Sequence, residues 1–179
     1  MMRFRCFRLY VADRANRANE SGANLMSEKV QNLWITNGAI DTNAMLELWE
    51  KIARERNFGA VSLFVGIVRA ENEISALSFD IYLPLLESWL DSWQKKAQNI
   101  EPHLLILMAH SKGDVAVGMS SFMCGILSRN RKGALAIYDE FIEDFKANAP
   151  IWKYDIKNGA RIYAQDRSKK LRGAGILEP

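Results

Sequence analysis

The chain has 179 residues, 49% of them apolar and 25% charged, with a formal net charge of +3. That is enough chain, of ordinary globular composition, to bury one full core, and no stretch approaches the roughly 18 apolar residues of a membrane span. Cys6 and Cys124 provide neither a disulfide framework nor the spacing of metal ligands, so no metal is expected and a reducing, cytoplasmic setting fits.

The charge is unevenly placed. Residues 1–25 hold five arginines against two carboxylates, which accounts for the whole surplus. Residues 26–127 carry eight Lys/Arg against twelve Asp/Glu, and residues 128–179 carry eleven against seven. A basic C-terminal third suits an anionic small molecule or an acidic partner surface. Nucleic acid is not expected, because its binders show a denser basic stripe.

The head of the chain, "MMRFRCFRLYVADRANRANESGANL", superficially resembles a transit peptide, but Asp13 and Glu20 argue against one. Residues 1–25 are read as a disordered extension, dispensable for folding and catalysis, and residues 26–179 as a single domain. "NLWITNGAI" predicts a first strand ending in an Asn-Gly turn. "DTNAMLELWEKIARERN" predicts an amphipathic helix with Met45, Leu48, Trp49 and Ile52 on one face, capped by Asp41 or Thr42 and ended by Gly59.

"AVSLFVGIV" is continuously apolar, as in a buried strand. "ALSFDIYL" alternates, with Leu77, Phe79, Ile81 and Leu83 on one face, and Pro84 opens the helix "PLLESWLDSWQKKAQN". "HLLILMAH" predicts another buried strand, "SKGDVAVG" a turn-rich connection, and "MSSFMCGILS" a further strand. "RKGALAIYDEFIEDFKANA" is helical, with Ala134, Ile137, Tyr138, Phe141, Ile142 and Phe145 in one stripe. After Pro150, "IWKYD" and "ARIYA" form a hairpin. Short loops between sequential strands favour antiparallel pairing, hence an α+β fold with a mainly antiparallel sheet and three main helices packed on it.

No catalytic triad, phosphate loop or metal cluster is present. Cationic groups instead gather at the ends of elements, where sites usually form. Arg69 follows the second strand, His110 closes the strand "LLILMAH", and Lys146 and Lys153 bracket Pro150. Arg131 opens the third helix, beside Arg129 and Lys132. Cations at that end oppose the helix dipole, so either an anion docks there on free N–H groups or the side chains point into solvent. Asn130 is a favourable N-cap. His110 suits either acid–base chemistry or a hydrogen-bonded turn.

Four segments carry a resemblance: "FGAVSLFVGIVRAEN", the H-x-x-G-x-x-x-x-G of "HSKGDVAVG", the S-x-x-R of "SRNR", and the K-x-x-x-P-x-W-K of "KANAPIWK". Together they resemble the large, catalytic subunit of molybdopterin synthase over about residues 30 to 165. The resemblance implies an α/β-hammerhead-like fold and a sulfurtransferase without a cofactor of its own. It would insert two sulfurs into cyclic pyranopterin monophosphate to form the molybdopterin dithiolene. The sulfur would arrive as a thiocarboxylate on the C-terminal Gly-Gly of a small ubiquitin-like subunit. A homodimer of large subunits would form the core of a heterotetramer. Lys146 and Lys153 would be the catalytic lysines, with Arg69, His110, Asn130 and Arg131 at the substrate.

Two positions depart from the family pattern. Ser111 stands where the family has arginine, and Asn130 where it has histidine; Lys112 is a possible substitute for the lost charge. With both lysines and both arginines kept, an active enzyme is expected. The competing readings are a non-catalytic scaffold for a ubiquitin-like partner, which retention of both lysines disfavours, and a small basic RNA-binding domain, which lacks any aromatic platform for bases.

Overall fold

The computed structural model describes residues 31–164, which fall in one compact unit. The expectations for residues 1–25, and for the polar tail after the last strand, lie outside the described residues.

Seven strands and three helices follow in the order β1 (Leu33–Asn37), α1 (Thr42–Glu55), β2 (Ala60–Ile67), β3 (Ala76–Ile81), α2 (Leu83–Ile100), β4 (Leu105–Ala116), β5 (Ser120–Ser128), α3 (Arg131–Asn148), β6 (Ile151–Lys157) and β7 (Ala160–Tyr163). The sheet runs β2-β5-β4-β3-β6-β7, with β1 also on β4. Every pairing is antiparallel except β1 with β4. The expected α+β class is what the chain adopts.

β4 and β5 lie at the centre and are apolar on both faces. Leu104, Ile106, Met108, Phe122, Cys124 and Ile126 pack with α2 and α3, through Leu86, Leu90, Trp93, Ile137 and Phe141. On the opposite face, Gly125 lies directly beneath Trp49 of α1. α1 starts as its sequence directs, with the Asp41 carboxylate accepting the Ala44 N–H at 3.0 Å. Burial of such side chains, at about 1.5–3 kcal/mol each, dominates the favourable side of folding.

Three local expectations are corrected. "AVSLFVGIV" is not a buried strand: β2 is the sheet edge, with Val65 38% and Ile67 57% exposed. "SKGDVAVG" is not mainly a connection. β4 continues through Ala116 because residues 113–116 pair with β3, and the left-handed Gly113 (φ 76°) lets the strand bend on the way. Gly59 does not end α1. The helix stops at Glu55 and the left-handed residue is Asn57 (φ 56°); Gly59 is needed because a Cβ there would lie 2.4 Å from the Arg129 carbonyl oxygen.

α2 and α3 run antiparallel, with Trp89 against Phe145 and Phe141, Trp93 against Phe141, and Lys96 paired with Glu140. α3 ends at Asn148, just before Ala149 (ψ 134°), the extended conformation a residue preceding proline prefers. β6 then starts at Ile151 and runs beside β3, and it turns into β7 through left-handed Asn158 and Gly159. The chain between α3 and β6 is therefore only two residues long, which holds Lys146 and Lys153 at neighbouring ends of consecutive elements. Among the described residues, no helix is long and apolar enough to cross a membrane.

Candidate active site

Lys146 lies in the last turn of α3, where a cation complements the negative end of the helix dipole. Its side chain is 58% exposed, with Nζ 3.7 Å from Glu143 and 5.9 Å from the centroid of the Phe64 ring on β2. Lys153 is half-buried on β6, directly across from Phe79 of β3.

An aromatic cluster links the two positions. Phe64 contacts Phe122 with ring centroids 5.8 Å apart, and Phe122 is stacked on Phe145 at 3.8 Å. His110 sits among Phe122, Phe145 and Phe79, edge-on to Phe79 at 5.0 Å. Phe64 thus lies under one lysine and Phe79 beside the other, with the His110 ring between them. The ring contacts make an apolar floor that runs from the Lys146 amine to the strand position paired with Lys153.

His110 is buried, at 2% exposure. Its Nδ1 is 2.8 Å from the Ser111 carbonyl oxygen. A carbonyl only accepts, so Nδ1–H donates and Nε2 carries the lone pair. Burial, reinforced by the charge of Lys153 and opposed by the Ser111 hydrogen bond, pushes the His110 pKa down to about 4. The ring is therefore neutral at pH 7 and offers no charge to an anionic ligand. It forms part of the aromatic cluster.

This burial has a testable consequence. The folded chain cannot protonate His110 until the pH approaches 4, whereas the unfolded chain does so near 6.5. The stability that the neutral ring supports is complete above pH 6.5, falls as the pH drops from 6.5 to 4, and levels below that. The full difference is about 3 kcal/mol. Urea unfolding at pH 7 and pH 4.5 should show a steeper loss in the parent than in His110→Phe, the comparison cancelling the carboxylates common to both. Equal losses would contradict the buried neutral ring.

The remaining predicted site residues sit at the ends of elements. Arg69 follows β2, is 78% exposed and pairs with Glu71 at 2.7 Å. Asn130 caps α3, its side-chain oxygen accepting the Lys132 N–H at 3.0 Å. Arg131 is the first residue of α3 and Lys146 belongs to its last turn. Fifteen residues at 1.5 Å each put them roughly 22 Å apart. Within one chain Arg131 and Lys146 do not share a pocket.

Sequence reasoning also missed an anion at the start of α3. Glu101, at the end of α2, accepts the Arg129 N–H at 2.8 Å, and its other oxygen lies so close to Gly133 that a Cβ there would come within 2.3 Å. The chain itself thus supplies negative charge beside Arg129, Arg131 and Lys132. Only the intervening fold reveals it, since Glu101 and Arg129 are far apart in sequence.

Ser111 is fully buried and its hydroxyl has no hydrogen-bond partner among the described residues. Lys112 acts on Asp80, whose carboxyl is held below its usual range first by Arg161. Arg161 bonds Asp80 at 2.8 Å, lies 3.7 Å over the Tyr154 ring and donates to Ser78 at 3.1 Å. That network ties the β6–β7 hairpin to β3 and so positions the strand bearing Lys153. Cys124 is buried, its thiol pKa pushed up by burial, and is inert at neutral pH. Among the described residues there is no cluster of three or more His, Cys, Asp or Glu side chains able to hold a metal ion.

Fold and site together define an α+β protein that places Lys146 and Lys153 by a part-buried aromatic cluster and offers no metal cluster among the described residues. The family model described as MoaE protein matches residues 35–148, and the chain belongs to that family. That span includes Lys146; Lys153 follows it by five residues. The chain is 51% identical over 145 residues to the molybdopterin synthase catalytic subunit of Helicobacter pylori strain 26695, covering 81% of this chain and 99% of that one. It is similar to a solved complex of subunits 1 and 2 of the molybdopterin-converting factor of the same organism, with TM-score 0.74, 51% identity and coverage of 82% and 99%. Molybdopterin synthase from Staphylococcus aureus, at 23% identity and TM-score 0.62 over 72% of this chain and 93% of that one, shares the fold.

Proposed function

We propose that the chain is the catalytic subunit of a cytoplasmic molybdopterin synthase. It inserts two sulfurs into cyclic pyranopterin monophosphate, one from each of two thiocarboxylated Gly-Gly tails of the small ubiquitin-like subunit. The observation that carries this reading is the 51% identity over nearly the whole length of a catalytic subunit. The placement of Lys146 and Lys153 on either side of one aromatic cluster supports it.

The chemistry asks for positive charge and proton transfer at one place. A thiocarboxylate entering a pocket needs cationic surroundings, and each sulfur addition to the pterin shifts protons on the reacting carbons. Two amines on consecutive elements, separated by the short turn at Pro150, can bind the anionic tail and serve as proton donor and acceptor. The aromatic floor excludes water on one side and strengthens those interactions. Arg69, on the loop after β2, is assigned to the substrate phosphate, together with Arg131.

Arg131 can join Lys146 only if it comes from a second copy of the chain, because α3 holds the two at opposite ends. The exposed apolar edge of β2, with Val65 and Ile67, suits burial between two copies. The functional unit is then a homodimer with a small subunit at each outer end, and association with that subunit weakens with salt.

A mixing experiment tests the shared site. Arg131→Ala and Lys146→Ala should each be nearly inactive alone. Unfolded together and refolded, they should regain roughly one quarter of parental turnover, because half the dimers are mixed and each has one intact site. Arg69→Ala should mainly weaken substrate binding. No recovery on mixing would mean that Arg131 does not complete the site of Lys146.

A further inference from the structure

Asp144 lies two residues before Lys146, in the final stretch of α3. A carboxylate near a helix C-terminus faces the negative end of the dipole, so this is an unfavourable place for one. Its surroundings offset that. The indole N–H groups of Trp89 and Trp93, one turn apart on α2, both donate to the same Asp144 oxygen, at 2.8 and 2.7 Å. The other oxygen accepts from the Asn148 side chain at 2.6 Å. One carboxylate therefore satisfies two partly buried donors from the neighbouring helix and also braces the last turn of its own.

The next two residues are held by different contacts. Phe145 stacks on Phe122 of β5 and touches His110 and Trp89. Lys146 reaches over Phe64 of β2. Asp144 ties this turn to α2 while Phe145 ties it to the sheet, and together they set the rotation of the helix end. Among the described residues, the ion pair of the Lys146 amine is with exposed Glu143 at 3.7 Å, and a pair of that kind does little to hold a side chain.

We propose that Asp144 is a positioning residue for Lys146, acting through the Trp89–Trp93 clamp to fix the last turn of α3. The catalytic part of the proposal rests on the role given to Lys146 above. Without the clamp, two indole N–H groups lose their acceptor and the last turn frays. The amine then samples positions away from the reacting atoms, and misplacement of about 1 Å can reduce a rate a hundredfold. The rate at saturation falls by more than small-subunit affinity does.

The experiment compares Asp144→Ala, Asp144→Asn and the double variant Trp89→Phe/Trp93→Phe in the full chain with the thiocarboxylated small subunit. Single-turnover rates at saturating precursor, small-subunit affinity and amide hydrogen exchange are measured well below each thermal midpoint. Asp144→Ala should react at least about tenfold more slowly, with a smaller change in small-subunit affinity and faster exchange confined to residues 145–149. Asp144→Asn keeps an acceptor for the indoles and should recover most of the rate. The tryptophan pair should behave like Asp144→Ala, and it provides the reading if that variant fails to fold. Parental rate and exchange in Asp144→Ala would overturn the proposal, as would faster exchange spread over the whole chain or equal losses in the Asn and Ala variants. If the parent chain itself showed no sulfur transfer, the proposed function would fall, and exchange at residues 145–149 would still decide whether the clamp fixes the helix end.

Discussion

Lys146→Ala is expected to lose at least about a hundredfold in turnover while its thermal midpoint stays close to that of the parent. The activity loss follows from removing a charged donor aimed at the reacting groups, an effect typically worth a factor of 10² to 10³. The stability effect is small for three reasons. The pair with Glu143 is exposed on both sides, and such pairs contribute about 0–1 kcal/mol. The dipole interaction adds at most about 1 kcal/mol. The Phe64 ring, 5.9 Å away, is at the outer limit of a cation–π contact. Steady-state turnover and a melting curve on the same preparation check both halves. Near-parental turnover would remove Lys146 from the mechanism.

Gly125→Ala is expected to be among the most destabilising single-methyl changes in the domain. A Cβ at residue 125 would lie 2.5 Å from Cε3 of Trp49 and 2.9 Å from Cζ3. Trp49 is fully buried, so its ring has no open space to move into. Gly125 pairs with Leu63 on one side and Leu107 on the other, so the backbone cannot shift without breaking two ladders. Overpacking of this kind costs about 1–3 kcal/mol or more, a drop of several degrees in midpoint for a chain of this size. Combining it with Trp49→Leu should restore part of the loss, because neighbouring changes that share one space are not additive. An unchanged midpoint would mean that α1 does not press on β5.

Much of this was legible from local pattern. A cap for α1 at Asp41 or Thr42, of which Asp41 is the one used, the apolar stripe of α3 and its stop before Pro150 follow from rules that act within a few residues. What escaped depends on distant parts of the chain. A continuous apolar run says that a strand is apolar, not what covers it, so β2 read as buried although it forms the sheet edge. "SKGDVA" carries turn residues, and only its partner β3 makes it strand. The separation of Arg131 from Lys146 could have been found by counting along the helix. Glu101 at the start of α3 could not, nor could the two tryptophans on Asp144, since each contact joins elements whose proximity no short-range pattern encodes.

The central claim is that this chain moves sulfur from a protein thiocarboxylate onto a pterin through Lys146 and Lys153. The most direct measurement is conversion in vitro, with purified chain, a small ubiquitin-like subunit bearing a C-terminal Gly-Gly thiocarboxylate, and cyclic pyranopterin monophosphate. The expected result is dithiolene product with two small-subunit tails returned to carboxylate per pterin, and none when either lysine is alanine. Tails that stay thiocarboxylated in a well-formed complex, or equal conversion by the lysine variants, would contradict it.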